Sequence, residues 1–179
     1  MAMQNFSIIV RPELCVGCRQ CMIRCAEAHS GQKELSASIR ETPLAKPRVY
    51  VVEAPGNKPF PSKCRHCEPA PCQSVCIPGA IRSDIYPGLK VVDPDLCIGC
   101  TMCAMACPYY AIRFFQDWKS PEKFKTAIKC DGCYERLELG LIPACAQACK
   151  TGAITWGDEN LIWETATSNM DLGLYEPGK

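Results

Sequence analysis

Several features that commonly announce a function are absent from this sequence. Its 179 residues carry 20 Lys and Arg against 19 Asp and Glu, a formal charge of only +1. That balance excludes a strongly basic nucleic-acid binder, which needs a cationic stripe. No run of 18 apolar residues occurs, so no membrane-spanning helix is expected. The stretch Met1 to Val10 lacks a positive start, is broken by Ser7 and is closed by Arg11-Pro12, unlike a secretory leader. No twin arginine precedes the first cysteine. There is no G-x-G-x-x-G nucleotide loop and no nucleophile–base constellation. A disordered chain is excluded in turn, because 47% of the residues are hydrophobic. What is left is one ordinary domain or two very small ones, expected in the cytoplasm, where thiols stay reduced.

What is abundant is cysteine, with 16 in the chain. They form four groups. Cys15, Cys18, Cys21 and Cys25 are spaced C-x2-C-x2-C-x3-C. Cys64, Cys67, Cys72 and Cys76 are spaced C-x2-C-x4-C-x3-C. Cys97, Cys100, Cys103 and Cys107 repeat the first spacing and are followed by Pro108. Cys130, Cys133, Cys145 and Cys149 are spaced C-x2-C-x11-C-x3-C. No cysteine is left over, and each group opens with C-x2-C and closes with C-x3-C, so one unit recurs four times.

The intervening segments predict short elements. Strands are expected at Phe6 to Val10, Arg48 to Val52, Ala80 to Arg82, Leu89 to Val92, Ala111 to Phe115 and Ala153 to Trp156. Each C-x3-C end suits one helical turn, since positions four apart share a face. Pro55-Gly56-Asn57 and Pro87-Gly88 mark turns. Fifteen prolines and twelve glycines leave room for little more. The fold class expected is α+β, with short strands and helical turns packed around something other than a large apolar core. Residues 26–63 read as a proline-bearing surface loop. Residues 157–179, with Trp163, Leu172, Leu174 and Tyr175, read equally as a strap on the chain's own body or a contact for a partner.

C-x2-C-x2-C-x3-C-P is the bacterial ferredoxin pattern, whose fourth cysteine ligates the other cluster of a pair. Three closely spaced thiolates can wrap three corners of an iron–sulfur cube, and the fourth points to its neighbour. The third group fits in full. The others depart at the proline position, with Ala26, Ile77-Pro78 and Lys150, and proline is not a ligand. Zinc would suit the C-x2-C halves of the second and fourth groups but leaves the C-x2-C-x2-C triplets unexplained. Two clusters with two zincs remain open, and a disulfide scaffold would need an oxidising compartment. Four [4Fe–4S] clusters are expected, with all sixteen cysteines as ligands. Each oxidised four-thiolate site carries about −2, which would take the chain from +1 to about −7. Arg19, Arg24, Lys63, Arg65, His66, Lys129 and Lys150 lie near ligands in sequence, where a positive charge would raise a cluster's potential. Singly, each reads as an ordinary solvated side chain. His29 and His66 are expected beside the sulfurs or at the surface, not as ligands.

Three stretches carry a family resemblance: Lys63-Cys64-Arg65-His66-Cys67 with Pro71-Cys72 and Cys76; Lys129-Cys130-Asp131-Gly132-Cys133; and Gly140 to Cys149 followed by Thr151-Gly152-Ala153. Over residues 7–156 the chain resembles the four-cluster ferredoxin-like electron-transfer subunits of the DMSO reductase superfamily, formate hydrogenlyase and formate dehydrogenases. Their relatives include the iron–sulfur protein associated with carbon monoxide dehydrogenase and the small subunits of tungsten aldehyde-oxidoreductase-type enzymes. The resemblance implies tandem, nested ferredoxin-like modules. Residues 1–62 with 122–160 would form the outer one, residues 63–121 the inserted one, and 161–179 a tail. It also implies the ligand sets: Cys15, Cys18, Cys21 and Cys149; Cys64, Cys67, Cys72 and Cys107; Cys97, Cys100, Cys103 and Cys76; and Cys130, Cys133, Cys145 and Cys25. The function expected is a non-catalytic electron wire in an anaerobic oxidoreductase complex, between a catalytic subunit, of tungsten- or molybdenum-pterin type, and a second redox partner. The alternatives are a nickel–iron carbon monoxide dehydrogenase or hydrogenase as partner, a free polyferredoxin carrier, and a redox sensor.

Overall fold

The computed structural model describes residues 6–83, 88–116, 122 and 125–158. Every strand in it is one half of a two-stranded antiparallel ribbon. The first, β1 (Phe6–Val10), pairs with the last, β8 (Ile154–Asp158), in a register that sets Phe6 opposite Asp158 and Val10 opposite Ile154. Ile8 and Ile154 supply its buried face, and the rings of Phe6 and Trp156 meet at 5.9 Å. The amide of Arg11 donates to the Ala153 carbonyl at 2.8 Å and extends the ladder by one bond. The two ends of the described chain are thus joined by backbone pairing.

β2 (Tyr50–Ala54) and β3 (Lys58–Ser62) form a hairpin across Pro55-Gly56-Asn57. Residues 26–63 are therefore not simply a loop: they hold this hairpin, the end of α1 (Gln20–Ala28) and the short α2 (Leu35–Ser38). β3 contains Pro59 and Pro61, which a central strand would reject. In a two-stranded ribbon each strand has an open edge, so the missing N–H groups cost no ladder bond. Two smaller ribbons follow, β4 (Ile81–Arg82) with β5 (Val91–Val92), and β6 (Arg113–Phe115) with β7 (Thr126–Ile128).

The helices are short apart from α1, which at nine residues outruns the single turn expected of Cys21 to Cys25. They continue with α3 (Pro71–Ser74), α4 (Met102–Ala106), α5 (Tyr134–Glu138) and α6 (Ala144–Ala148). α1 packs against α6, and α3 against α4. Two apolar cores result. One gathers Ile8, Cys21, Cys25, Val49, Cys64, Cys130, Cys145 and Ile154. The other gathers Ala70, Cys72, Ala80, Ile81, Cys97, Cys103, Ile112 and Ala127. Cysteine occupies positions that aliphatic side chains hold in ordinary domains. The result is a small α+β arrangement of mixed helices and short strands. Among the described residues no helix is long and apolar enough to cross a membrane. Residues 159–179, including the tail aromatics, lie outside the described residues, as does Pro87.

Candidate metal centres

The four C-x2-C loops share one backbone device. The residue before the second cysteine has positive φ in each: Gly17 at 72°, His66 at 50°, Gly99 at 70° and Gly132 at 75°. Glycine enters that region without steric cost. His66 is the exception, and its ring is held in place, because the Lys90 amide donates to its Nδ1 at 3.0 Å. A tight loop of this shape turns successive cysteine side chains toward one point. In the first and third groups Arg19 and Thr101 also have positive φ and start α1 and α4, which carry the third cysteine of each group.

The structure brings cysteines together across groups. One pocket of about 310 Å³, counting its open mouth, has Cys97, Cys100, Cys103 and Cys76 in its lining. A second, of about 350 Å³, has Cys64, Cys67, Cys72 and Cys107. The other eight thiols sort by their influence on one another. Burial pushes Cys21 up to about 11, with Cys149, Cys18 and Cys15 acting in the same direction. Burial raises Cys145 well above the ordinary thiol value, and Cys130, Cys25 and Cys133 add to the rise. Cys103 is pushed up to about 11 by burial and then by Cys97, Cys76 and Cys100. Cys130 reaches about 12, chiefly through burial. Burial and mutual repulsion thus oppose the thiolate form of these four thiols, whereas against the effect of burial Cys25 is lowered by His29 and Arg48, and Cys149 by hydrogen bonds from Ile154 and Thr151. A bound cation that displaces the protons removes both penalties at once.

Backbone amides already address several sulfurs. Arg48 donates to Cys25 Sγ at 3.2 Å, Ala127 to Cys97 at 3.3 Å, His66 to Cys64 at 3.4 Å and Ile154 to Cys149 at 3.3 Å. Such bonds stabilise sulfur-borne negative charge. The His66 ring supplies a buried donor without an acceptor among the described residues. With His66 Nδ1 accepting from Lys90, the neutral ring carries its hydrogen on Nε2, and that atom is buried without a partner. Burial, followed by the charges of Lys129 and Lys63, lowers the pKa of this ring to about 3. The all-sulfur donor sets, with the Ala127 and His66 backbone amides already donating to Cys97 and Cys64, fit an iron–sulfur cluster whose sulfurs accept hydrogen bonds.

Beside Cys25 lies a network that the cysteine motifs do not reveal. Asp131 accepts from His29 Nε2 at 3.1 Å and pairs with the Arg48 guanidinium. Burial opposes its ionisation, but Arg48 and His29 hold it well below the usual carboxylate range. His29 Nδ1 in turn lies 2.7 Å from the Cys25 carbonyl oxygen and 3.7 Å from the Cys25 Sγ. His29 and His66 thus stand near sulfur without belonging to a four-cysteine set. Arg48 and Lys90 were not legible as site residues, because neither lies within a cysteine group. Asp131 sits inside the fourth motif, but its partners come from distant segments.

The 4Fe-4S dicluster domain family matches residues 57–159. The chain is 35% identical over 163 residues to Protein NrfC of Escherichia coli K12, covering 86% of this chain and 66% of that protein. It is 33% identical over 160 residues to a subunit of tetrathionate reductase from Salmonella typhimurium, covering 86% and 58%. It is 38% identical over 167 residues to the electron transport protein HydN of Escherichia coli K12, covering 88% and 91%. The chain therefore spans just under two thirds of NrfC and less of the tetrathionate reductase polypeptide, but nearly all of HydN.

Proposed function

The chain belongs to the 4Fe-4S dicluster domain family, and from that premise we propose that it is a non-catalytic electron-transfer subunit carrying four [4Fe–4S] clusters. The observation that carries this reading is the clustering of thiols drawn from different sequence groups, such as Cys76 with Cys97, Cys100 and Cys103 around one pocket. We assign the ligands as four sets: Cys15, Cys18, Cys21 and Cys149; Cys64, Cys67, Cys72 and Cys107; Cys97, Cys100, Cys103 and Cys76; and Cys130, Cys133, Cys145 and Cys25. When bound, each cluster supplies a one-electron relay.

The chain's own residues hold the thiols on tight loops, donate to sulfur and exclude water. Residues 1–62 with 122–160 would form the outer module and 63–121 the inserted one, with β6 and β7 pairing along the seam between them. Of the sixteen thiols, Cys18 and Cys100 are exposed. Their sets are assigned as the two ends of the wire. Exposed Val16 beside Cys18, and Ile98 and Met105 near Cys100, offer apolar contacts for docking at each end.

The partner assigned on family resemblance is a catalytic oxidoreductase subunit of tungsten- or molybdenum-pterin type, with a second redox protein at the far end and the cytoplasm as the compartment. The match to most of HydN, named an electron transport protein, favours a second reading, a free-standing carrier. Anaerobic affinity purification from native cells separates the two. Stoichiometric recovery of a large catalytic chain is expected. A monomer that passes electrons between unrelated enzymes contradicts the subunit assignment.

A further inference from the structure

Asp131 belongs to one cysteine loop and holds a second one to it. Within its own loop, its carboxylate accepts the amide of Cys133 at 2.9 Å and so fixes the turn between Cys130 and Cys133. The same carboxylate reaches residues 102 and 83 positions away in sequence. It accepts from His29 Nε2 at 3.1 Å and pairs with the Arg48 guanidinium. Both partners lead to Cys25. His29 caps α1 one turn after Cys25, and its Nδ1 donates to the Cys25 carbonyl oxygen at 2.7 Å. Arg48 directs its backbone amide to Cys25 Sγ at 3.2 Å. Asp131 is buried, and the side chains of His29 and Arg48 are 11% and 15% exposed, so water competes little for these bonds.

Packing already brings the pieces close: α1 lies against α6, and Cys25, Cys130 and Cys145 share one apolar core. A ligand set needs more, because its atoms must be held to within about 0.5 Å. The contacts of Asp131 supply that precision, since they fix the Cys130–Cys133 turn and the backbone of Cys25 through one carboxylate. His29, Asp131 and Cys133 also place their donor atoms within 4.8 Å of one another, the spacing of a mononuclear metal site. A cation there would face the Arg48 guanidinium and draw Cys133 out of its set, so the arrangement serves better as a clasp than as a further metal site.

We propose that Asp131 is a positioning residue: through His29 and Arg48 it clasps Cys25 to the Cys130–Cys133 loop and keeps closed a ligand set drawn from both ends of the chain. The inference rests on the four-cluster reading, which assigns Cys25, Cys130, Cys133 and Cys145 to one cluster, and adds what holds that set together. Asp131, His29 and Arg48 bind no iron. They decide how firmly one cluster is kept, so their removal should be felt at that cluster and not at the other three. Lys33 and Glu135 provide a comparison. Their ion pair also spans 102 positions, from beyond the first cysteine group to the fourth, but its side chains are exposed.

The test is cluster retention by the anaerobic full-length holoprotein, followed by EPR and by iron release to a chelator. Cys145→Ser first identifies the signal of the clasped cluster. Asp131→Ala is expected to lose that signal about 10–100-fold faster than the wild type, the scale on which residues that orient metal ligands act. The other three signals should persist, with about four of about sixteen irons released first. Arg48→Met should hasten loss of the same signal, and Arg48→Lys should slow it again, because an ammonium can also pair with Asp131. These two variants decide the matter if Asp131→Ala does not fold. Lys33→Ala should release iron at the wild-type rate. Unchanged release from Asp131→Ala, parallel loss of all four signals, first loss of a different signal, equal acceleration by Lys33→Ala, or failure of Arg48→Lys to restore would overturn the proposal. Cys145→Ser that removes no signal from the wild-type set would instead overturn the four-cluster reading beneath it.

Discussion

Asp131 is 5% exposed and faces two cationic groups, Arg48 and His29, beside the sulfur of Cys25. Removing one member of a buried charge network costs more than the network contributes, because the remaining charges lose their compensation. Asp131→Asn is therefore expected to destabilise the holoprotein by about 3–5 kcal/mol, seen as a large fall in thermal midpoint. Lys33→Ala, which breaks a pair with Glu135 whose side chains are 52% and 36% exposed, should cost less than about 1 kcal/mol. Equal effects would contradict the buried network. At this scale the four cysteine groups are legible in their spacing alone, and two pockets gather thiols from the second and third groups. Arg48 is not legible: it lies 23 residues past Cys25 in a segment without a motif, and only folding brings its amide to the Cys25 sulfur.

At the scale of elements, the recurring C-x2-C loop is the unit from which the fold is built. Its backbone demand is clearest at Gly99, where φ is +70° and an added Cβ would lie 2.8 Å from the Lys125 carbonyl oxygen. Gly56, in the β2–β3 turn, has φ of +78° with nothing within 4 Å. Gly56→Ala should cost about 1–2 kcal/mol from backbone strain alone. Gly99→Ala adds a collision with backbone and should cost more, with loss of iron from the set containing Cys97 and Cys100. Calorimetry with iron analysis of the two variants checks the order; the reverse order would contradict the close approach. Six strands were legible from short β-prone runs, with ends shifted by up to two residues. β3 was not, because Pro59 and Pro61 argue against a strand, and only a ribbon with two open edges admits them. β7 was hidden by its brevity: Thr126-Ala127-Ile128 becomes a strand through pairing with Arg113–Phe115.

For the whole molecule, the decisive relation joins residues far apart in sequence. β1 pairs with β8, and Cys149 acts on Cys21 from the opposite end of the described chain. Under the proposed ligation, Cys25→Ser should damage the cluster of Cys130, Cys133 and Cys145 more than that of Cys15, Cys18 and Cys21. Loss of one EPR signal with the other three retained is the expected outcome; loss of the sequence-adjacent signal would contradict the crossed pairing. The near-neutral formal charge of +1 describes the bare chain only. With four clusters the molecule would be anionic, near −7, and should migrate accordingly in native electrophoresis. The claim on which all of this depends is that sixteen cysteines hold four cubes. Iron, acid-labile sulfide and zinc determined per chain on anaerobically prepared protein test it most directly. The account predicts about sixteen irons and sixteen sulfides with no zinc, whereas about eight irons accompanied by zinc would contradict it.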